Sequence, residues 1–589
     1  MNRLNALKKI FVFFFKELPI YSFISPLYYL FSSFSPVIST VLLKEIFECA
    51  YNIIKNDSEA VAPFFKYGTC FIMFHLIIVL LESITSISTN AGIYERSKYL
   101  LNLKITEKSA SLPLIKYEDE NIMDIKKRAE KCVEAEHIPG IYMLSFVLLF
   151  SFAGLISIIG VMSSYHWSFS VIAIFTTVQF LFSTLALEAR KYTMNEEQAR
   201  SNRKLNYIWK LFSTSNNVQE MRTMGFNDYL STQWRKIRGK NNDTFYEEAK
   251  HEAKMLFLCE LLRVIGYATG IIAAIYHYLN GNITIGSLGA CVYAFMNVQN
   301  VVVNLFSSIG SLPPKLKYAV DYWKYISISN TITETVFFDG LKNKIKISNL
   351  SFTYPNSDKV ALKNISLEIN KGESVVILGE NGSGKTTLIK LLLGLYSPKN
   401  GEILFDDENL DKIEKNSFYK HITSVTQDFN LYSFSLKENI ALRNLSNIDN
   451  EKIKKVADAS FLDNYLLEEL DSLVGKEFDG IELSVGQKQK VAVARSLYNV
   501  NELVFLDEPT SAIDPVTEAQ ILGNFINFLK GHTTIIVSHR VGLCTLADKI
   551  IVMKNGSIVE VGSHDSLINN NGEYSRLYKL QEKWYKNQN

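Results

Sequence analysis

The sequence predicts a chain of two unlike parts, an all-α domain of six membrane-spanning helices followed by an α/β domain. Six long apolar runs crowd into the first half of the chain, whereas strand-like runs alternate with turns and helices from Ile345 onward. A glycine-rich stretch at Gly379–Thr387 falls between one such strand and a helix. We therefore expect a transmembrane domain over residues 1–322, a linker over 323–344 and a second domain over 345–589.

Composition narrows the class of protein before any motif is considered. With 589 residues, the chain is long enough for two or more domains. The net charge of +2 gives no argument for nucleic acid as a partner. None of the 6 cysteines forms a C-x-x-C pair, so the sequence indicates neither a cysteine metal site nor a disulfide framework.

The apolar runs of the first half are long enough to cross a membrane, which takes about 20 residues of helix. The six expected spans lie at approximately 20–43, 62–90, 141–162, 165–187, 255–279 and 286–312. Long buried core helices in a soluble protein are the alternative, and six such runs fit that alternative poorly. Pro313 and Pro314 are expected to end the last span.

The charges between the spans predict the orientation in the membrane. The loops near 162–165 and 280–285 hold no charged residue, whereas the long segments 95–140 and 189–254 are rich in Lys and Arg. Positive loops stay in the cytoplasm, so we expect both termini, both long segments and the second domain there, in a multi-pass protein of the cell membrane. Each long segment also has a turn-like break with room for a short helix that touches the second domain, 112–119 and 216–226.

The glycine-rich stretch reads G-E-N-G-S-G-K-T-T and fits G-x-x-x-x-G-K-[ST], the phosphate-binding P-loop. The apolar run Ser374–Leu378 before it predicts a buried strand, and Leu388–Leu395 after it predicts a helix. Lys385 is expected to reach the β and γ phosphates of ATP, and Thr386 to bind Mg²⁺. A chance glycine-rich turn is the alternative, and this context argues against it. The expected ATP-binding residues of the loop are Gly379, Asn381, Gly382, Ser383, Gly384, Lys385, Thr386 and Thr387.

A second buried strand, Leu503–Glu508, ends in two carboxylates. Adjacent acids at a strand end suit one ligand of Mg²⁺ and one base that polarises water. We assign Asp507 to the metal and Glu508 to the water. A solvated turn with two acids is the alternative for a lone Asp-Glu pair, but the following Pro509–Asp514 makes it a poor fit.

A third motif, Leu483–Gln487, precedes an expected helix over Lys488–Tyr498. Ser484 and Gly486 would lie at the N-terminus of that helix, where an anion is favoured. In isolation, a simple N-cap and a turn glycine explain these two residues equally well.

Together these segments resemble an ABC exporter half-transporter, one six-span membrane domain followed by one ABC-type nucleotide-binding domain. The resemblance covers essentially the whole chain. It implies that Tyr354, in S-F-T-Y-P, stacks on adenine, and that Gln427, in S-V-T-Q-D, senses Mg²⁺ and the attacking water. It also implies that the signature motif caps the γ-phosphate bound by the partner subunit, through Ser484, Gly486 and Gln487.

The same resemblance assigns the remaining positions of the site. Asp514 matches the inter-subunit loop, and His539, in V-S-H-R, contacts the γ-phosphate. A capping or core histidine is the alternative for His539. Val485 stands where the family usually has a glycine, although the rest of the signature remains, so we expect a working site. The two cytoplasmic breaks resemble coupling helices.

Polar residues inside the expected spans suggest a cargo site. Glu260 and Arg263 lie three apart in the fifth span and share a helix face. The sixth span carries an asparagine stripe at helical spacing, Asn297, Asn300 and Asn304. These residues predict a partly polar cavity suited to a peptide or amphipathic cargo. Hydrogen bonds between spans are the equal alternative.

The expected function is ATP-driven export across the cytoplasmic membrane by alternating access, with ATP and Mg²⁺ as cofactors. The partners are the lipid bilayer, the exported substrate and a second half-transporter, for which a homodimer is the first choice and a heterodimer stays open. A peptide cargo ranks ahead of multidrug export and of lipid flipping. A membrane ATPase that gates or senses without transport is the alternative of a different class. About 20 residues precede the first span, so no cysteine-peptidase domain is expected there.

Overall fold

The structure is a computed structural model that divides the chain into two compact units. It describes residues 2–329, 335–355, 357–442, 448–476, 479–510, 513 and 515–586. The first unit, called the helical unit below, is Met1–Ser111 with Asp124–Ile328. The second, called the ATPase unit, is Leu112–Met123 with Ser329–Asn589. A short piece of the charged segment 95–140 thus belongs to the ATPase unit.

Long helices make up the part of the chain before the first strand. Two of them, α3 and α4, are joined by a π-helical segment at Ser88–Glu95, so the helix continues from one into the other. The helices are α1 Arg3–Glu17, α2 Pro19–Ile54, α3 Val61–Ile87, α4 Arg96–Ser111, α5 Leu114–Tyr117, α6 Glu120–Glu134, α7 His137–Tyr165, α8 Trp167–Ser213, α9 Ser215–Thr223, α10 Asn227–Leu279 and α11 Ile285–Ile326.

Several of these helices can cross a membrane. In the described part of the chain, five helical segments are long and apolar enough to do so: Pro19–Ile54, Ser58–Ser111, His137–Tyr165, Asn227–Leu279 and Ile285–Ile326. They contain the first, second, third, fifth and sixth expected spans. The remaining expected span, 165–187, falls on α8, where the side chains of residues 176–189 lie outside the described residues. The helical, membrane-spanning character of this half is confirmed.

Small residues let these helices approach closely. A Cβ atom on Gly154 of α7 would lie only 2.3 Å from the Ser33 carbonyl oxygen of α2, so a larger side chain there would push the two helices apart. Helix α11 differs from expectation, because it runs through Pro313 and Pro314 to Ile326. The two prolines cannot make their backbone hydrogen bonds. Packing of the later turns of α11 offsets that loss, through the buried residues Leu316, Ala319 and Tyr322.

The ATPase unit contains two sheets. An antiparallel sheet has the order β2-β1-β4-β5, and a larger sheet has the order β10-β9-β3-β8-β7-β6. The strands are β1 Lys344–Thr353, β2 Val360–Asn370, β3 Ser374–Gly379, β4 Asn400–Phe405, β5 Glu408–Asn409, β6 Ile422–Val425, β7 Leu503–Asp507, β8 Thr533–Ser538, β9 Lys549–Lys554 and β10 Ser557–Gly562. The expected strands at 345–352, 361–369, 374–378 and 503–508 are confirmed to within a residue at each end.

Helices cover both faces of the larger sheet. The helices are α12 Lys385–Leu392, α13 Lys415–Lys420, α14 Leu436–Ala441, α15 Asn450–Ala459, α16 Asn464–Glu468, α17 Val485–Tyr498, α18 Pro515–Leu529, α19 His564–Asn569 and α20 Glu573–Lys586. Successive residues of β3 enter different cores: Val376 packs in one hydrophobic cluster and Ile377 in the other. A sheet buried on both faces explains why these parallel strands are continuously apolar in the sequence.

Candidate active site

Four neighbouring strands of the larger sheet end at one edge and lead into the predicted catalytic residues. In the parallel register, Leu378 of β3 pairs with Ser538 of β8, and Asp507 of β7 pairs with Val537 of β8. Strand β6 lies beside β7 and leads to Gln427. Because paired strands are about 4.8 Å apart, the residues that follow these strands are brought together by the sheet itself.

The loop after β3 turns sharply before α12 begins at Lys385. Gly384 has a φ of 103°, in the left-handed region. A Cβ atom at this position would lie 2.7 Å from Leu362 Cδ2 and 3.0 Å from the Ala361 carbonyl oxygen, so only glycine fits. The first backbone N–H groups of α12 have no acceptor within the helix, and the helix dipole favours an anion there. The loop is therefore shaped to hold phosphate.

The P-loop lysine is held at this turn. Lys385 is only 5% exposed, and its Nζ donates to the carbonyl oxygens of Gly379 at 2.7 Å and Glu380 at 3.1 Å. Burial lowers the pKa of the Lys385 ammonium, while the carboxylates of Glu508 and Asp507 oppose that shift. An ammonium group that donates to loop carbonyls can exchange them for phosphate oxygens.

The oxygen donors at the end of β7 fit a magnesium ion. Thr386 Oγ1 donates to Asp507 Oδ1 across 3.3 Å. Gln427 and Thr386 line one cavity together with the rest of the P-loop. Burial raises the pKa of the Asp507 carboxyl, and the hydrogen bond from Thr386 opposes the shift. Mg²⁺ takes one or two carboxylates together with substrate phosphates. Among the described residues, no group of three or more His, Cys, Asp or Glu side chains forms a metal cage.

Glu508 and His539 face each other at the ends of β7 and β8. His539 Nδ1 lies 3.3 Å from Glu508 Oε1. Glu508 has a φ of 49°, which costs a residue with a side chain about 1–3 kcal/mol. Its N–H donates to the Val537 carbonyl at 3.1 Å, and Gln489 Nε2 donates to its carbonyl at 3.2 Å. Backbone contacts on both sides therefore hold this carboxylate in an otherwise unfavourable conformation.

The predicted adenine-stacking residue is also fixed. The hydroxyl oxygen of Tyr354 lies 3.0 Å from Thr387 Oγ1. Its ring meets Phe352 and Tyr396 edge to face, with centroids 5.1 and 5.6 Å away. An aromatic ring held at both its edge and its hydroxyl offers a preorganised flat surface to a base.

These groups surround one cavity of about 380 Å³. Its lining unites the P-loop with Tyr354, Gln427 and Glu508. Asp507 contacts Thr386 of this lining, and His539 lies beside Glu508. Three lining residues were missed by sequence reasoning, Ser357, Lys359 and Ala361. Ser357 and Lys359 lie in the turn between β1 and β2, and Ala361 is the second residue of β2. A lysine in that turn was the only signal in the sequence.

The signature motif lies away from this cavity, at the N-terminus of α17. Ser484 Oγ accepts from the Gln487 N–H at 3.3 Å, and Gln487 Oε1 accepts from the Ser484 N–H at 2.9 Å. This reciprocal pair is a capping box. Gln487 Nε2 donates to Asp463 at 2.5 Å and to the Tyr465 hydroxyl at 2.8 Å. The Gln487 side chain is thus already bonded within its own chain, and Val485 is 68% exposed.

Gly486 follows in the first turn of α17, half-buried. Asp514, assigned to the inter-subunit loop, lies outside the described residues. For the break at 112–119, the structure shows which residues make the expected contact with the second domain. Ile115 of α5 packs against the hydrophobic core of the ATPase unit, and the Tyr396 hydroxyl donates to the Glu118 carboxylate. The expected short helix is present, and it is part of the ATPase unit.

The polar residues of the spans are arranged along two helices. Arg263 forms an ion pair with Glu260 at 2.6 Å within α10, as their spacing suggested. In α11, Asn297 Nδ2 donates to the Tyr293 carbonyl at 2.9 Å, and the side chains of Asn300 and Asn304 are exposed on the helical unit. The asparagine stripe therefore lies outside the packed face of α11.

Fold and site together define a class of protein, a P-loop ATPase joined to a multi-span membrane domain. Residues 362–511 match the family model described as ABC transporter. The subtilin transport ATP-binding protein SpaT of Bacillus subtilis is 29% identical, over 92% of this chain and 88% of its own length. The nisin transport ATP-binding protein NisT of Lactococcus lactis subsp. lactis is 29% identical, over 83% of this chain and 82% of its own length.

The fold itself is similar to that of a solved transporter. A bacterial Atm1-family ABC exporter with ATP bound superposes with a TM-score of 0.78 at 19% identity, covering 96% of this chain and 98% of that one. An ATP-dependent lipid A-core flippase of Pseudomonas fluorescens is 33% identical over 54% of this chain. The second domain is the ATP-binding, ATP-hydrolysing domain of the ABC transporter type, and the chain as a whole is similar to bacterial ABC exporters.

Proposed function

We propose that the chain is one half of an exporter that uses ATP to move a peptide or a small amphipathic compound across the cytoplasmic membrane by alternating access. The observation that supports this proposal most is the share of the chain that is similar to one peptide transporter. The subtilin transport protein aligns over 92% of the chain, and therefore over both domains. The match to the lipid A-core flippase covers 54%. A peptide cargo is thus favoured over a lipid.

ATP occupies the cavity of the ATPase unit in this proposal. Tyr354 stacks on adenine, and the P-loop N–H groups with Lys385 bind the phosphates. A water molecule attacks the γ-phosphorus and loses a proton to Glu508, while the bond to the β–γ bridging oxygen breaks and ADP leaves. His539 stays near both the carboxylate and the phosphate. Preorganised donors at the developing charge supply most of the rate enhancement.

Thr386, Asp507 and Gln427 are the residues that would hold Mg²⁺. The ion, when bound, neutralises charge on the phosphates. Their hydroxyl, carboxylate and amide oxygens are the hard donors that this ion prefers. The 3.3 Å contact between Thr386 and Asp507 supports the assignment, because it places two of these donors side by side.

A dimer completes each ATP site. Ser484 and Gly486 lie at the exposed N-terminus of α17, away from the cavity of their own chain. A helix N-terminus that faces out from the chain is suited to cap the γ-phosphate bound by a second copy. Gln487 acts here by shaping that terminus through its capping box. We take the partner to be a second copy of this chain, because Glu508 and His539 are both intact.

The proposed topology places both termini and the ATPase unit in the cytoplasm. The charged segments between the spans support this orientation. The asparagine stripe of α11 and the Glu260–Arg263 pair are proposed to line the cargo pathway, because ionisable and amide groups are costly where they face lipid. Asn300→Ala is expected to abolish the stimulation of ATPase by cargo. Unchanged stimulation would assign these residues to contacts between spans.

The deciding experiment measures ATP-driven uptake into inside-out membrane vesicles. The panel contains amphipathic peptides and lipophilic dyes, and vesicles carrying Glu508→Gln are the control. Uptake of peptides that is lost in the control supports the proposal. Uptake of dyes alone would make the protein a multidrug exporter. Hydrolysis of ATP without uptake of either class would favour a membrane ATPase that gates or senses.

A further inference from the structure

The C-terminal helix α20 pairs with the backbone of the loop that follows β8. Gln581 Nε2 donates to the His539 carbonyl oxygen at 2.5 Å, and its Oε1 accepts from the Val541 N–H at 2.9 Å. One side-chain amide thus forms two hydrogen bonds to the backbone on either side of Arg540. Two such bonds fix the path of the chain at His539 more firmly than one, because they restrict both its position and its rotation.

The start of α20 is anchored independently. The backbone N–H groups of Glu573 and Tyr574 donate to the Glu560 carboxylate of β10 at 2.9 and 2.8 Å. Tyr574 is fully buried. Arg576 also forms an ion pair with Glu380 of the P-loop at 2.6 Å. This pair is solvent-exposed, and such pairs contribute little to the stability of the fold. The helix is therefore a fixed support, and Gln581 is the residue through which it acts on the site.

The loop at His539 depends on such support. The imidazole is 44% exposed and lies 3.3 Å from Glu508, so packing alone does not hold it. On the other side of the loop, Arg540 forms an ion pair with Glu518, which in turn accepts from Thr510 at 2.6 Å. Gln581 is the matching support on the side of α20.

We propose that Gln581 is a positioning residue for ATP hydrolysis, which keeps the His539 imidazole beside Glu508 by holding the backbone of its loop. The inference rests on the proposed role of His539, and it adds a residue that no sequence motif marks. Gln581 is not among the residues that line the nucleotide cavity. Its loss is therefore expected to lower kcat and to leave the KM for ATP unchanged.

The test compares variants of the purified full-length protein in lipid nanodiscs. Gln581→Ala removes both hydrogen bonds, and Gln581→Met removes them while keeping the length of the side chain. The control is Lys579→Ala on the same helix, whose Nζ donates to Asn571 and to no loop of the site in the described structure. Each Gln581 variant is also made in a His539→Ala background.

Both Gln581 variants should lower kcat about tenfold and leave the KM for ATP within about twofold, because a small displacement of a catalytic group is costly. In the His539→Ala background, the further loss should be less than about twofold, because coupled residues are not additive. Wild-type kcat, a raised KM, or an equal tenfold loss in both backgrounds would overturn the proposal. Full activity of His539→Ala would overturn it as well, but would leave the export proposal standing, because that proposal is tested through Glu508.

Discussion

His539 Nδ1 lies 3.3 Å from Glu508 Oε1, and the two residues follow adjacent parallel strands. The backbone of Glu508 is in the left-handed conformation, which residues other than glycine rarely adopt, and this conformation directs the carboxylate towards His539. Such strain is retained where the surrounding structure fixes it, often at functional sites. The position of Glu508 is thus fixed by the backbone of the protein itself.

Glu508→Gln is expected to lower ATPase activity at least about 100-fold, because an amide cannot take the proton from water. ATP binding should persist, since Lys385 and the P-loop are unchanged. Phosphate release and binding of a fluorescent ATP analogue measure the two effects. Glu482→Gln, at an exposed carboxylate of the same unit, is the control. Near-normal hydrolysis by Glu508→Gln would remove Glu508 from the proposed mechanism.

Tyr354→Ala should raise the KM for ATP about tenfold, because stacking of one base on an aromatic ring contributes about 1–3 kcal/mol. Tyr354→Phe keeps the ring and loses only the 3.0 Å contact with Thr387. Its KM should therefore stay within about threefold of the wild type, since a single neutral hydrogen bond contributes about 1 kcal/mol or less. Steady-state kinetics of the three proteins decide this. Equal KM values for Ala and Phe would show that the hydroxyl, and not the ring, is what matters.

Thr386→Ala should increase the Mg²⁺ concentration needed for half-maximal ATPase by about 10-fold or more, because one oxygen donor of the ion is lost. Asp507→Asn should do the same, and the two losses should not add fully because the residues are in contact. Titration of ATPase activity with Mg²⁺ at saturating ATP measures both. Thr423→Ala, whose hydroxyl bonds to the Asn499 carbonyl, is a matched control. An unchanged Mg²⁺ requirement would exclude Thr386 as a ligand.

Tyr396→Phe removes the hydroxyl that donates to Glu118 and keeps the ring against Phe352 and Tyr354. We expect basal ATPase within about twofold of the wild type and a several-fold loss of cargo uptake for each ATP hydrolysed, because the 112–123 segment joins the ATPase unit to the spans by direct chain continuity. Tyr498→Phe is the control, because it also loses one hydroxyl contact, with the Asp449 N–H. Equal coupling in both variants would contradict the prediction.

The start of α20 should respond to acid. Hydrogen bonds from Arg576, with help from Lys554, lower the pKa of Glu573 to about 2. An unfolded glutamate titrates near about 4.3, so this contribution to stability is complete above that pH and is lost as the pH falls towards 2. Thermal unfolding between these two values should therefore depend less on pH in Glu573→Gln than in the wild type. Glu408→Gln, at an exposed carboxylate of the first sheet, should leave the dependence unchanged.

The order of elements was predictable because the signals were local. The P-loop, the Asp507–Glu508 strand end and the apolar spans each combine a pattern with its flanking context. Contacts between distant segments carry no such pattern. Gln581 at the His539 loop is not distinguished by its neighbours in the sequence. Glu118 falls in the expected break 112–119, but no pattern points to its contact with Tyr396. The course of α11 through Pro313 and Pro314 was missed for a related reason, because tertiary packing outweighed a local rule.

In the proposed function, the residue that stacks on the base and the residues that act on the phosphates follow strands of different sheets. Tyr354 follows β1 of the antiparallel sheet, whereas Lys385, Glu508 and His539 follow strands of the larger one. The proposed recognition of the base and the proposed cleavage of the phosphate therefore depend on residues that follow separate sheets. Under that proposal, we expect substitutions in the turn after β1 to alter the preference between purine nucleotides while the strands that carry Lys385, Glu508 and His539 keep their positions.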